Sequence, residues 1–231
     1  MNWISILPWT DWLAMAVFFG AWMLYAWYAQ RGHKGGTTLL SRTNRYRHYW
    51  LLQATYREPR ILDGIIQQAL SSTPSFFSST TIIIIGGVFA LLGVTERANE
   101  LVSELPFAQA TPVAVFDLKV LVLLTIFVYA FFRFTWAMRL NTFVALAIGA
   151  MPPGADFAAA KFDRDVHARR ASRLVGLAAE AFNSGLRAYY MSFAVIAWFF
   201  SSTAFMVASL LVVGVLYRRE FQSDVLDVLT E

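Results

Sequence analysis

An arginine and an asparagine eight residues apart in a long apolar run are the clearest candidates for chemistry in this sequence. Arg133 and Asn141 fall on similar faces of a continuous helix, because eight residues are a little over two turns. A guanidinium binds phosphate well, so one interpretation is an anion or lipid-headgroup site near Arg133. The other is structural, because buried polar groups need partners, and Glu58 or Asp63 would supply them. The predicted polar cluster is therefore Arg133, Asn141, Glu58 and Asp63, as a ligand site or as a structural tie.

Eight further arginines are candidates for contact with anionic lipid headgroups. They are Arg42, Arg45, Arg47, Arg57, Arg60, Arg169, Arg170 and Arg173. A basic residue near such a surface contributes about 1 kcal/mol. Basic and aromatic residues also occur together in nucleic-acid-binding proteins, but no recognition motif is present, so no nucleic-acid partner is expected. A third interpretation is that the positive charge only sets the membrane topology.

Spacing picks out no catalytic or metal-binding set. The histidines, His33, His48 and His167, lack metal-ligand spacing, and the sequence contains no cysteine. The P-loop, the nucleophile elbow and the dinucleotide fingerprint are also absent. We therefore predict no catalytic residue, no metal and no cofactor. A membrane-embedded lipid-modifying enzyme with Asp63, His48 or His167 as acid or base is kept as an alternative.

These residues must be positioned by an unusually apolar chain. Of its 231 residues, 58% are apolar and 15% charged, which excludes disorder and argues against an ordinary soluble domain. Four runs are long enough to cross about 30 Å of hydrocarbon as helices: 11–30, 75–94, 113–136 and 188–216. The predicted fold is an all-α integral membrane protein, a single membrane domain over 1–231 with four transmembrane helices. The last run is free of charge throughout, so it must tilt or project from the bilayer.

The distribution of charge predicts the orientation. Segment 31–73 holds seven Lys/Arg against two acids, and segment 139–187 holds seven against four. Segments 1–11, 95–112 and 217–231 carry small net negative charges, although Arg218 and Arg219 follow the last helix directly. Because Lys and Arg accumulate on the cytoplasmic side, we expect 31–73 and 139–187 to be cytoplasmic and both termini to lie outside.

The two basic segments should form amphipathic helices on the cytoplasmic side. We predict a helix over 43–56, a second that begins at Pro59, and a third over 156–184. The second carries one apolar face, formed by Ile61, Leu62, Ile65, Ile66, Ala69 and Leu70. The apolar stretch 140–151 is too short to span, so it is either re-entrant or an extension of the preceding helix, and we favour the extension.

Three charged residues lie at the ends of apolar runs. Asp11 is placed to cap the first helix, and Asp117 and Lys119 lie within about two turns of the outer end of the third. Side chains so close to the interface can reach water, which explains Asp117 and Lys119 without a special role. Charges within a membrane nevertheless mark functional sites often enough that a transport role is kept as an alternative.

Several motifs resemble those of a known family. They are Thr43-Asn44-Arg45, Trp50, Arg57-Glu58-Pro59-Arg60-Ile61, Asp63, Phe76-Phe77-Ser78-Ser79-Thr80-Thr81, Phe131, Arg133, Phe134, Trp136, Arg139, Asn141 and Gly149. In order and spacing these resemble the family catalogued as domain of unknown function 599, over about residues 8–216. The resemblance implies a small, four-helix integral membrane protein of the kind found in bacteria and plants. It implies no activity, ligand or catalytic residue.

The sequence therefore favours an interaction or accessory protein of a bacterial cytoplasmic membrane, crossing it several times and without enzymatic activity. Its expected partners are the bilayer, anionic headgroups, and either a second copy or another membrane protein. The first alternative is a small transporter or channel with an anion or headgroup site near Arg133. The second is the lipid-modifying enzyme.

Overall fold

A computed structural model of the chain describes residues 7–104 and 111–229. Residues 1–6, 105–110 and 230–231, which belong to the segments predicted to lie outside the membrane, are outside the described residues. Over the described residues the elements are all helices. They are α1 (Trp9–Gly35), α2 (Leu39–Ala54), α3 (Ile61–Leu91), α4 (Thr95–Ser103), α5 (Val113–Gly149), α6 (Gly154–Ala158), α7 (Arg164–Trp198), α8 (Ser202–Phe221) and α9 (Asp224–Val228).

Three of the described helices are long and apolar enough to cross a membrane. They are Trp9–His33 within α1, Ile61–Leu91 and Val113–Gly149. The first and third predicted spans lie inside these helices, and most of the second does. α5 continues without a break to Gly149, which confirms the helix extension expected for 140–151.

The fourth predicted span differs from the structure. Run 188–216 is not one helix, because α7 ends at Trp198 and α8 begins at Ser202. Ser201 acts as the N-cap of α8, since its hydroxyl oxygen accepts a hydrogen bond of 3.0 Å from the backbone N–H of Ala204. The length and the lack of charge, which pointed to one long helix, carry no information about this internal cap.

The junction near Pro74 also differs. A short helix from Pro59 and a separate span from Ser75 were expected, but α3 runs through Pro74 as one helix. Proline removes one backbone donor. Neighbouring hydroxyls add bonds to backbone carbonyls there, from Ser72 to Ala69 (2.8 Å) and from Ser75 to Ser71 (2.9 Å).

The chain divides into two compact units, where the sequence predicted one domain. Unit 1 takes the described parts of Met1–Arg31, Thr80–Phe131 and Leu186–Arg219. Unit 2 takes those of Gly32–Ser79, Phe132–Gly185 and Glu220–Glu231.

In unit 1, α1 and α8 run parallel. Asp11 contacts Ser202 near the start of both helices, the rings of Phe18 and Phe205 lie 5.0 Å apart, and the Tyr25 hydroxyl donates to the carbonyl of Leu216 (3.2 Å) near their ends. The two helices therefore end on the same side of this unit.

In unit 2, α2, α5 and α7 form the core. Leu51 of α2 packs with Val144 and Ile148 of α5 and with Ala168 and Val175 of α7. Small residues on α7 allow close approach, as at Gly176, where an added Cβ would lie 3.1 Å from the Asn44 side chain. α2 itself begins at a capping box formed by Thr38 and Ser41.

Candidate functional site

In the first turns of α3 two polar residues are buried and apolar residues are exposed, the reverse of an amphipathic helix in a soluble protein. Asp63 and Gln67 are buried, at 0% and 4% exposed, whereas Ile61, Leu62 and Ile65 are more than half exposed. The apolar face predicted for this helix therefore exists but points away from the protein. An outward apolar face and an inward polar one suit a helix whose surroundings are lipid.

Asp63 is held by two donors from outside its own helix. Trp50 Nε1 of α2 donates to Asp63 Oδ1 at 2.8 Å, and a guanidinium nitrogen of Arg57 lies 3.2 Å from the same oxygen. Asp63 Oδ2 is buried and has no hydrogen-bond partner among the described residues. The buried charge is thus compensated on one oxygen only.

Arg60 and Arg164 donate hydrogen bonds to backbone carbonyls in the turns near Asp63. Arg60 donates to the carbonyls of Ala54 (3.2 Å), Met151 (3.1 Å) and Pro152 (2.7 Å). Arg164 donates to the carbonyls of Thr55 and Gly154, and its guanidinium lies 4.1 Å from the Tyr56 ring centroid. Carbonyls left free at helix ends are thereby satisfied by charged donors.

Glu58 belongs to the same set of contacts. Its Oε1 accepts from the backbone N–H of Gly154, at the start of α6, and lies 3.7 Å from an Arg60 nitrogen. A carboxylate at a helix start is favourably placed. Glu58 thus ties the turn before α3 to the turn after α5.

Asn141 and Arg133 have other partners. Gln67 Nε2 donates to the backbone oxygen of Asn141 at 2.9 Å and to its Oδ1 at 3.2 Å. Arg133 donates to the hydroxyl of Ser184 at 3.3 Å, and its Nε is buried with no hydrogen-bond partner in the described part of the chain. Each member of the predicted polar cluster therefore has a different set of described partners.

The eight candidate arginines separate into two groups. Arg45, Arg169, Arg170 and Arg173 are exposed, whereas Arg42, Arg47, Arg57 and Arg60 are partly buried. Of the second group, Arg57 and Arg60 are engaged with Asp63 and with backbone carbonyls, as described above. The exposed four present their guanidinium groups to the surroundings, although Arg169 also contacts Asp165.

The exposed arginines of the two helices meet at one depression. Arg45 of α2 and Arg169 of α7 line a surface depression of about 450 Å³ together with His48 and Tyr49. Asp165 contacts both Arg169 and His48 and so partly offsets the positive charge. We call Arg45, Arg169, Arg170 and Arg173 the arginine face.

Arg47 lies in a second, smaller cleft of unit 2. The cleft measures about 220 Å³ and is also lined by Thr73, Asn141 and Asn183. Burial lowers the pKa of Arg47, because the charged guanidinium loses water, and Asn44 Oδ1 accepts one of its hydrogen bonds.

The residues of the enzymatic alternative are not joined by a contact among the described residues. His48 Nε2 lies 3.2 Å from Asp165. His167 Nε2 is buried without a described partner, and its ring lies 6.2 Å from that of Phe157. The described residues contain no group of His, Cys, Asp and Glu that could hold a metal ion.

Unit 1 contains a buried polar network that the sequence did not predict. Asp11 is 3% exposed and accepts from Trp198 Nε1 at 2.7 Å and from the Ser202 hydroxyl. Lys119, also 3% exposed, donates to the carbonyl of Trp198 at 2.9 Å. Asp11 is therefore not a simple cap, and Lys119 does not reach for water. The lysine satisfies a carbonyl at the end of α7, and the aspartate lies at the start of α8.

Comparison with known proteins gives a family and no relative of known activity. No curated protein and no solved structure matches the chain. A family model described as "Protein of unknown function, DUF599" matches residues 13–225, which include the polar cluster and all eight candidate arginines. Because the match covers most of the chain, as the motifs around Arg57, Arg133 and Asn141 led us to expect, this protein belongs to the DUF599 family.

Proposed function

We propose that the protein acts by interaction, as an accessory protein of the cytoplasmic membrane that holds anionic lipid headgroups on its arginine face. The main support is that Arg45 and Arg169, from two helices, line one depression. Arg57 and Arg60, in contrast, are paired with Asp63 and with backbone carbonyls. Arg170 and Arg173 extend the positive surface along α7. Planar guanidinium groups bind phosphate oxygens in pairs, which suits a phosphodiester headgroup.

The test measures lipid preference directly. The protein is purified in detergent, and binding of phosphatidylglycerol and phosphatidylcholine is compared by native mass spectrometry. In the triple variant Arg45→Gln, Arg169→Gln, Arg173→Gln we expect the preference for phosphatidylglycerol to fall roughly tenfold, since charge-assisted hydrogen bonds are lost. Arg97→Gln is the matched control, because Arg97 is an exposed arginine of α4 that pairs with Glu100. An unchanged preference in the triple variant would rule out this surface as the headgroup site.

An interaction role also requires a protein neighbour. Because the chain has no cysteine, the variant Arg170→Cys can carry a single photoreactive group attached through its thiol. We expect crosslinking in native membranes to capture a second copy of the chain or one recurrent membrane protein. Purely monomeric protein after crosslinking would contradict the accessory role.

A second candidate function, ion transport, is supported by two buried charged residues in unit 1. Charged residues within membrane-spanning helices often mark an ion pathway. Here Asp11 and Lys119 flank the junction of α7 and α8. Liposome flux that is abolished by Asp11→Asn, Lys119→Met or Arg133→Ala and kept by Asp117→Asn would favour transport over the accessory role.

A further inference from the structure

A second surface feature of unit 2, a large cleft, lies apart from the arginine face. It measures about 740 Å³ and runs between α3 and α5. Gln67, Ser71 and Ser75 line it from α3, and Arg139 and Thr142 line it from α5. Its wall is thus rich in amides and hydroxyls, in a part of the chain where both helices also carry exposed apolar side chains.

Several polar groups of the wall are acceptors that keep a free lone pair. Gln67 is 4% exposed, and its Nε2 donates to Asn141 and to the Ser71 hydroxyl. Its Oε1 is buried and has no hydrogen-bond partner among the described residues. With the amide in the opposite orientation, its oxygen would face the two oxygens of Asn141, so the contacts fix Oε1 as the atom left over.

The hydroxyls of the wall have the same character. Ser75 donates its proton to the Ser71 carbonyl at 2.9 Å, and Thr142 donates its proton to the Met138 carbonyl at 3.2 Å. With their protons engaged, the two oxygens present lone pairs to the cleft. A buried acceptor without a partner is costly, so the wall is suited to a ligand that brings N–H or O–H donors.

The residues around the edge of the cleft indicate which other groups the ligand carries. Arg139 is exposed, and its guanidinium lies 5.4 Å from the Phe143 ring centroid, which leaves its nitrogen donors available to an anion. Ile65 and Phe76 of α3, and Trp136 and Leu146 of α5, are exposed, and each directly follows a residue that lines the cleft. A cation, an acceptor wall and apolar margins together fit an amphiphile with a phosphate and a nearby donor.

We propose that this cleft binds a phospholipid whose headgroup joins a phosphate to a primary ammonium or hydroxyl group. The phosphate lies at Arg139, and the ammonium or hydroxyl donates to Gln67 Oε1 and to the oxygen of Thr142. The inference does not depend on the arginine face, because the two sites share no residue.

The test compares three lipids by native mass spectrometry of the detergent-purified protein. Phosphatidylethanolamine and phosphatidylglycerol carry donors, whereas phosphatidylcholine keeps the phosphate and a cation but has no N–H or O–H. We expect the first two to bind about fivefold more tightly than the third, which corresponds to one net hydrogen bond. Equal affinity for phosphatidylcholine and phosphatidylethanolamine would overturn the proposal.

Variants assign the preference to this cleft. Thr142→Val keeps the shape of the side chain and should reduce the preference for donor-bearing lipids, as should Gln67→Leu. Arg139→Gln should weaken the binding of all three lipids to a similar extent. Arg169→Gln, on the arginine face, should leave the phosphatidylethanolamine preference unchanged. If Gln67→Leu does not fold, Thr142→Val at an exposed position still tests the proposal, and no effect of that substitution would refute the site.

Soluble headgroups distinguish the source of the ligand. Glycerophosphoethanolamine has the same phosphate and ammonium but no acyl chains. We expect it to compete with phosphatidylethanolamine only at concentrations at least tenfold higher. Competition at equal concentration would show that the apolar margins contribute nothing, and the assignment to a lipid would then be wrong.

Discussion

The carboxylate of Asp63 has no contact with solvent. Its hydrogen-bond partners therefore determine how its substitution should change the free energy of unfolding. Its Oδ1 accepts from Trp50 and lies beside Arg57, so the charge is held by one neutral and one charged donor. Hydrogen bonds to charged groups contribute about 1.5–3 kcal/mol, and removing one partner leaves the other buried and unsatisfied. Asp63 therefore acts here as an anchor between α2 and α3.

We expect Asp63→Asn to lower the free energy of unfolding by about 2 kcal/mol, because the charge that pairs with Arg57 is lost. Trp50→Phe should cost a similar amount, and the double variant should cost clearly less than the sum of the two. Unfolding in mixed detergent micelles, followed by far-ultraviolet circular dichroism, measures all three. Arg45→Gln, at an exposed position of α2, is the control and should change little. Strict additivity of the two substitutions would show that Trp50 and Asp63 are not coupled.

Among the helix contacts of unit 2, Gly185 of α7 packs directly against a side chain of α5. An added Cβ would lie 2.5 Å from the ring of Phe134, which is fully buried. That ring cannot retreat freely, because the rings of Phe77 and Phe182 lie 5.3 and 5.6 Å away. Gly185→Ala should therefore destabilise the protein by about 1–3 kcal/mol through overpacking.

Gly20 of α1 provides the matched comparison. Nothing lies within 4 Å of a Cβ added there, so Gly20→Ala should be neutral or stabilise the helix by up to about 1 kcal/mol. Both variants are measured by the same micelle unfolding experiment. Equal effects at the two glycines would mean that helix propensity, and not the contact with Phe134, governs Gly185.

The junction between α7 and α8 leads to a third prediction. Lys119 satisfies the carbonyl of Trp198 at the end of α7, so Lys119→Met should leave that carbonyl without its donor and cost about 2 kcal/mol. Asp117→Asn, two residues away and only half-buried, should cost less than about 0.5 kcal/mol. Thermal unfolding of the two variants in detergent compares them. A lysine variant as stable as the asparagine variant would show that the junction does not need this donor.

Hydrophobic length predicted the existence of the helices well and their internal boundaries poorly. Run 113–136 and the stretch to Gly149 form one helix, as expected. Pro74 lies inside one helix and Ser201 caps a new one, because an apolar run shows neither where a proline is tolerated nor where a hydroxyl caps a helix. At the site, Arg60 looked like a surface arginine, since pairing with carbonyls distant in sequence leaves no trace in local spacing.

For the molecule as a whole, the parallel course of α1 and α8 bears on the topology. Within unit 1 the two helices start together at Asp11 and Ser202 and are still in contact at Tyr25 and Leu216. Within unit 2 the backbone N–H of Leu40 lies 3.5 Å from Glu220 Oε1. The chain therefore leaves α8 on the side where it leaves α1. The sequence prediction of both termini outside depended on 188–216 being a single crossing, and it stays a prediction.

We accordingly expect the C-terminal residues to lie on the same membrane face as α2. α8 has 20 residues, about 30 Å of helix, and it ends in Arg218 and Arg219, which on the cytoplasmic side would obey the positive-inside rule instead of breaking it. Because the chain has no native cysteine, single variants report accessibility cleanly. Asp224→Cys should react with a membrane-impermeant maleimide only in inside-out vesicles, together with Arg45→Cys, whereas Glu100→Cys should react only in right-side-out vesicles. Labelling of Asp224→Cys together with Glu100→Cys would instead support both termini outside. The C-terminal residues would then lie on the membrane face opposite to α2, contrary to the parallel course of α1 and α8.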